Sequence, residues 1–366
     1  MSVYHKLYIS CCILIAGSMM SACSADSRAV KITEGLDHPW SMVFLASDEI
    51  LISERAGSLR RIVKGELLSA PVSGLPDIVE KGQGGLLGLA LHPQFEQNRW
   101  LYFAYAAGNT SEGYSTHLAR GRYSDGKLTD VQVLFAATPK TSGGRHFGGR
   151  VLFDRAGYVY LALGDRGDRE LAQQLENHTG SLIRLHDDGR VPKDNPFVNK
   201  AGLMPEIYSY GHRNIQGLAL NPFNGYIWSH EHGPQGGDEI NLHKKGANYG
   251  WPVISYGEEY GGGAVGAGLN AQTGLEQPLH YWTPSIAPSG MTFYTGDRYL
   301  GWKGNLFVGS LKVSALVRLT FEGNKVISEE RLLEDEIGRI RDVQQAPDGY
   351  LYVLTDESDG GLYRVE

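Results

Sequence analysis

A chain of 366 residues, 42% apolar and 20% charged, can bury a large core, which excludes a disordered tail, a coiled coil and a small disulfide-stapled module. A formal net charge of −7 with no Lys/Arg cluster argues against a nucleic-acid partner. The 48 glycines, near twice the usual ~7%, and 20 tyrosines against 11 phenylalanines predict a soluble all-β protein of short strands and tight turns.

Residues 1–22 read as an address rather than as part of the fold. His5 and Lys6 give a weakly basic start, and the apolar stretch from Leu7 to Met20 is too short for a comfortable membrane span. Ser21 and Ala22 then precede Cys23, a pattern that resembles a bacterial lipoprotein signal in which the cysteine is lipidated and becomes the first residue. An ordinary secretory peptide cut nearby is the alternative. Ser24 after the cysteine points to the outer membrane, facing the periplasm, with the lipid as the sole membrane contact. The remaining cysteines, Cys11 and Cys12, lie in the signal, so residues 23–366 are expected to hold neither a disulfide nor a catalytic thiol.

From there one pattern recurs: an apolar strand, a polar turn with Pro, Asp or Gly, then an alternating aromatic strand. Copies begin at Trp40, Gly88, Arg150, Gly217, Gly290 and Arg341, most followed by a further strand-like stretch such as SLRRIVKG or SLIRLHDDG. Period-2 alternation between turns signals antiparallel hairpins. Six copies predict a six-bladed β-propeller of four-stranded antiparallel blades in one domain spanning 23–366, with seven blades the alternative count. The early segment from Ala29 to Thr33 is placed to complete the last blade and close the ring, which protects strand edges. Longer insertions are expected at 138–150, 165–180, 187–215 and 232–290, and Arg169 to Leu185 is the best short helix candidate.

Rare and charged residues at strand ends carry the chemical information. His146, between glycines before the third copy, is either a general base at the channel mouth or an exposed turn histidine. Asp165, past the next strand, either orients that histidine or caps a turn. Arg213, Asn214 and Gln216 form a dense set of planar hydrogen-bonding groups suited to a flat anionic ligand, with a solvated loop as the alternative. His230 and His232 have a zinc-like spacing but lack a convincing third ligand, whereas the carbonyls of a Gly-Pro turn and the oxygens of Asp238 and Glu239 suit calcium better. Lys312, Arg339 and Arg341 are late basic points, the two arginines sharing a strand face and so calling for an anion or an acid between them. The glycine run at 82–88 lacks both G-x-G-x-x-G spacing and a βαβ context, which argues against nicotinamide binding.

Together, GQGGLLGLALHP at 82–93, RHFGGR at 145–150, LGDRGD at 163–168, GHRNIQG at 211–217 and EHGPQGGDEINLHKKGANYGWP at 231–252 resemble the soluble, pyrroloquinoline quinone (PQQ)-dependent aldose (glucose) dehydrogenase family. The resemblance implies that His146 is the general base and Asp165 its partner. It implies that Arg213, Asn214, Gln216, Lys312, Arg339 and Arg341 contact PQQ, with Gln83 on the substrate or histidine side. It also implies that the carbonyls of Gly233 and Pro234 hold a calcium ion touching the quinone, while Glu239 and the Tyr249 carbonyl hold a second, structural one. The implied partners are an aldose and an external electron acceptor, for a monomer or weak dimer. The glycine-rich insertion from Tyr256 to Gln277 departs from the loops of the glucose enzymes, while the short loops elsewhere resemble the broader aldose branch. Two other functions compete: a calcium-dependent propeller lactonase, which would place acidic and Asn ligands around a channel metal, and a tethered carbohydrate- or protein-binding propeller, which would need neither His146 nor the cations.

Overall fold

The computed structural model describes residues 27–366, so the leader and Cys23 lie outside the described residues. Six four-stranded antiparallel sheets follow one another around a ring. Blade one runs through Pro39–Ala46, Glu49–Glu54, Leu59–Val63 and Glu66–Leu67. Blade three runs through Val151–Phe153, Val159–Ala162, Ser181–Leu185 and Ile207–Tyr210, and blade four through Ile215–Leu220, Ile227–Glu231, Asp238–Leu242 and His280–Trp282. Blade six takes Ile340–Gln345, Leu351–Thr355 and Gly360–Val365 from the C-terminus and its outer strand, Ala29–Leu36, from the N-terminus. That pairing closes the ring as expected, with six blades and not seven.

The alternation in the second strands explains the packing. Successive side chains point to opposite sheet faces, and in a propeller each face meets a different neighbouring blade. Leu51 packs toward blade two while Ile50 and Ile52 pack toward blade six. Phe307 likewise faces blade six while Leu306 and Val308 face blade four. Six apolar clusters therefore fill the gaps between blades, and a small seventh of Ala172, Trp251 and Val265 lies outside them. Because both faces are buried, these strands read as near-continuous apolar runs.

Two expectations are corrected. The helix candidate from Arg169 to Leu185 forms only a 3-10 turn, Arg169–Gln173, because Asn177 Nδ2 donates to the carbonyls of Leu171 and Gln174 and Ser181–Leu185 pairs within blade three. The regions taken as insertions also contain blade strands: Ile207–Tyr210, Asp238–Leu242 and His280–Trp282. Innermost strands surround a channel, whose one end is an apolar opening lined by residues such as Met42, Leu91, Phe153, Leu220 and Phe293.

Candidate active site

The other end of the channel collects the chemistry, because the second strand of several blades finishes there on an acid. Glu54, Asp165, Glu231 and Asp356 occupy these ends in blades one, three, four and six, and each meets a basic partner. Beside them lies a cavity of about 450 Å³, which Asp356 alone of the four lines. Gln83, Asn214, Gln216, Lys312, Arg339 and Arg341, all singled out from sequence, line it. So do Trp40, Arg55, His232 and Asp356, to which the sequence reading gave no role in this cavity.

His146 and Asp165 meet beside the cavity, next to its lining residues Phe147 and Gln83, with His146 Nδ1 2.5 Å from Asp165 Oδ1. An ionised carboxylate only accepts, so the proton sits on Nδ1 and the Nε2 lone pair is left to act as a base. The histidine backbone is held in the left-handed region at φ 53°, an uncommon state for a residue with a side chain, and its N–H donates to Gln83 Oε1 at 2.7 Å. Gln83 therefore stands on the histidine side while also lining the cavity. Gly164 allows the two segments to approach: a Cβ there would lie 2.2 Å from the His146 carbonyl oxygen. Burial lowers the His146 pKa from its ordinary value, with the hydrogen bond and charge of Asp165 opposing the shift. Burial alone would raise the Asp165 carboxyl, but His146, the Gly167 N–H and the Trp251 indole outweigh it and hold it below its usual range.

The late arginines have their acid. Arg341 Nη2 donates to Asp356 Oδ2, and Arg339 Nη2 donates to the same oxygen at 3.3 Å. Burial still lowers the pKa of Arg341 despite this partner, and its Nε is buried without a hydrogen bond, as is Arg55 Nε. Lys312 adds an exposed ammonium on the rim. Four cations thus face one carboxylate, Asp356, around the cavity, a donor set that fits a ligand carrying several carboxylates, as PQQ does. Asn214 Oδ1 accepts from Gly148 N–H and from Gln216 Nε2, each at 3.2 Å, which fixes these amides at the cavity wall.

Arg213, Gly233, Glu239 and Tyr249 fall instead around a smaller crevice beside the cavity, and Pro234 lines neither. Arg213 Nη1 donates to the Gly233 carbonyl at 2.7 Å and to the His232 carbonyl at 3.1 Å. Glu231 and Glu239 stand opposite one another on paired strands, bridged by Asn241 Nδ2 at 3.0 and 3.1 Å. Burial raises both carboxyls, and the neighbouring Glu231 charge adds to the rise at Glu239. Asn241 Oδ1 is buried without a partner. Two carboxylates and an orphaned amide oxygen are hard donors, and they fit a calcium ion beside Glu239.

Four residues of consequence escaped the sequence reading. Asp356 and Glu231 share a detectable signal, an acid closing the second strand of a blade. Arg150 does not: it spans the channel, Nη1 bonding Asp342 Oδ1 at 2.8 Å and Nε donating to the Gln216 carbonyl at 2.7 Å, with its guanidinium 4.2 Å from the Trp40 ring. Trp251 Nε1 donates to Asp165 Oδ2 at 2.8 Å, a contact across 86 residues of chain.

A six-bladed propeller with a histidine–aspartate pair beside a cation-lined cavity has the donor set for a polar, anionic ligand. The chain belongs to the glucose/sorbosone dehydrogenase family, whose model, "Glucose / Sorbosone dehydrogenase", matches residues 36–364. It is 44% identical over 357 residues to the aldose sugar dehydrogenase YliI of Escherichia coli strain K12, covering 96% of each chain. The crystal structure of the soluble aldose sugar dehydrogenase of Escherichia coli in its apo-form superposes with a TM-score of 0.89 at 44% identity, covering 93% of this chain and 99% of that one. The PQQ-bound aldose sugar dehydrogenase of Streptomyces coelicolor superposes with a TM-score of 0.77 at 27% identity, covering 93% and 98%. The protein is a sugar dehydrogenase of this family.

Proposed function

We propose that the protein oxidises the anomeric C1 hydroxyl of aldoses to the lactone, with PQQ and calcium as cofactors and an external electron acceptor. The observation that carries this reading is the His146–Asp165 pair beside a cavity lined by more cations than acids. Family membership and the PQQ-bound relative support it.

In this reading Lys312, Arg339 and Arg341 hold the carboxylates of PQQ, while Asn214 and Gln216 hydrogen-bond its ring edge and Gln83 borders it. Arg213 lies one residue from that wall and completes the cationic set. PQQ would supply the acceptor for the hydride that leaves C1, and a calcium ion, for which the Gly233 and Pro234 carbonyls are the ligands, would supply a Lewis acid. His146 Nε2 removes the proton from the C1 hydroxyl, and Asp165 stabilises the imidazolium as it forms, an interaction stronger in the transition state than in the ground state. Glu239 and the Tyr249 carbonyl hold the structural calcium.

The test adds PQQ and calcium to the purified protein and follows dye reduction across a panel of aldoses. Aldose-dependent reduction that vanishes on omitting PQQ or chelating calcium is the expected result. A folded protein that neither binds PQQ nor reduces the dye overturns the reading. We further propose that Cys23 is lipidated and anchors residues 23–366, as one domain, to the outer membrane. Metabolic fatty-acid labelling that Cys23→Ser fails to abolish would reject this.

A further inference from the structure

Trp251 has no role in the chemistry so far, yet its side chain is among the most constrained near the site. Its backbone is fastened on both sides: its N–H donates to the Gly211 carbonyl at 2.8 Å, and its carbonyl accepts from Gln173 Nε2 at 2.7 Å. The indole is buried against Ala172 and Val265, so it has one place to lie. There its Nε1–H reaches Asp165 Oδ2 at 2.8 Å, while its ring lies 5.3 Å from the guanidinium carbon of Arg213.

The two oxygens of Asp165 are thereby divided. Oδ1 accepts from the Gly167 N–H at 2.7 Å and faces His146 Nδ1, and Oδ2 accepts from the indole. A carboxylate held through Oδ1 alone could still turn about its Cβ–Cγ bond, a broad torsion for an aspartate. The indole closes that freedom, and its ring ties the carboxylate to the arginine at the edge of the cationic cavity. We propose that Trp251 is the positioning residue of the base: its indole N–H orients Asp165 toward His146, and its ring joins that pair to Arg213. The proposal rests on the reading of His146 as the base.

The test uses Trp251→Phe, which keeps an aromatic face for Arg213 and removes only the donor. In the holoenzyme kcat is expected to fall about tenfold with KM for the aldose nearly unchanged. The acidic limb of kcat/KM should move downward by about half a pH unit, because Asp165, no longer held toward His146, opposes the burial of the imidazolium less. The same downward shift should appear in the His146 midpoint measured by NMR in the cofactor-free protein. A role in packing alone would leave that midpoint in place, and an unmoved or raised midpoint overturns the proposal. A second measurement does not depend on the variant folding. In the unsubstituted protein one indole N–H resonance should titrate with the His146 midpoint and lose that step in His146→Ala; if no indole resonance does so, the proposal falls. Failure of the unsubstituted enzyme to oxidise any aldose, with the indole titration present, would overturn the function and leave the Trp251–Asp165–His146 chain standing.

Discussion

Replacing Asp165 by Asn tests the catalytic pair with almost no change of shape. The carboxylate accepts from three donors: His146 Nδ1 at 2.5 Å, Gly167 N–H at 2.7 Å and Trp251 Nε1 at 2.8 Å. An amide has one acceptor oxygen and one donor nitrogen, so one of these donors must face another donor. If the amide nitrogen faces the histidine, the ring proton moves to Nε2 and the base is lost; if it faces the indole, a buried donor is left unpaired. Either arrangement costs about 1–3 kcal/mol, and losing a charge-assisted bond to the forming imidazolium costs about 1.5–3 kcal/mol more. A total of about 2.5–6 kcal/mol corresponds to a fall in kcat of about 10²- to 10⁴-fold. The pH profile carries the sign. Asp165 opposes the burial that lowers the His146 pKa, so removing its charge should move the acidic limb of kcat/KM to lower pH as the plateau drops. Steady-state dye reduction across pH checks both. A kcat within about threefold of the unsubstituted enzyme, or an acidic limb that rises, would refute the reasoning.

Four further outcomes follow from the same contacts. Lys312→Ala, on the exposed rim, should weaken PQQ binding about 10- to 100-fold in a fluorescence titration while leaving the melting temperature of the cofactor-free protein unchanged. Calcium should raise the melting temperature of the unsubstituted protein, and Glu239→Gln should reduce that rise. Arg150→Met leaves Asp342 charged and buried without its partner, so it should cost about 3–5 kcal/mol in urea unfolding. Asp356 is held at about 2, chiefly against burial, by Arg341 with help from His38. A depressed carboxyl contributes stability above its unfolded value that is lost as pH falls, so about 2 kcal/mol should disappear between about pH 4 and pH 2, and Asp356→Asn should flatten that part of the stability profile.

The propeller was legible in the chain because alternation is a local property. Strands such as Glu49–Glu54 and Leu306–Ser310 carry their partition between two interblade gaps in their own residue order, and turn residues mark where each hairpin reverses. The grouping of Arg213, Asn214 and Gln216, and the shared face of Arg339 and Arg341, were legible for the same reason, since neighbours on a strand stay neighbours in space. The tertiary structure alone decided which distant groups meet. Closing the ring sets Arg150 against Asp342 across 192 residues, and inserts Asp356 between two arginines that sequence left facing either an acid or an anion. It also splits the cofactor residues between a cavity and an adjoining crevice, and brings Trp251 to the back of Asp165. These contacts join blades or insertions whose separation along the chain bears no relation to their separation in space, so no local period could encode them.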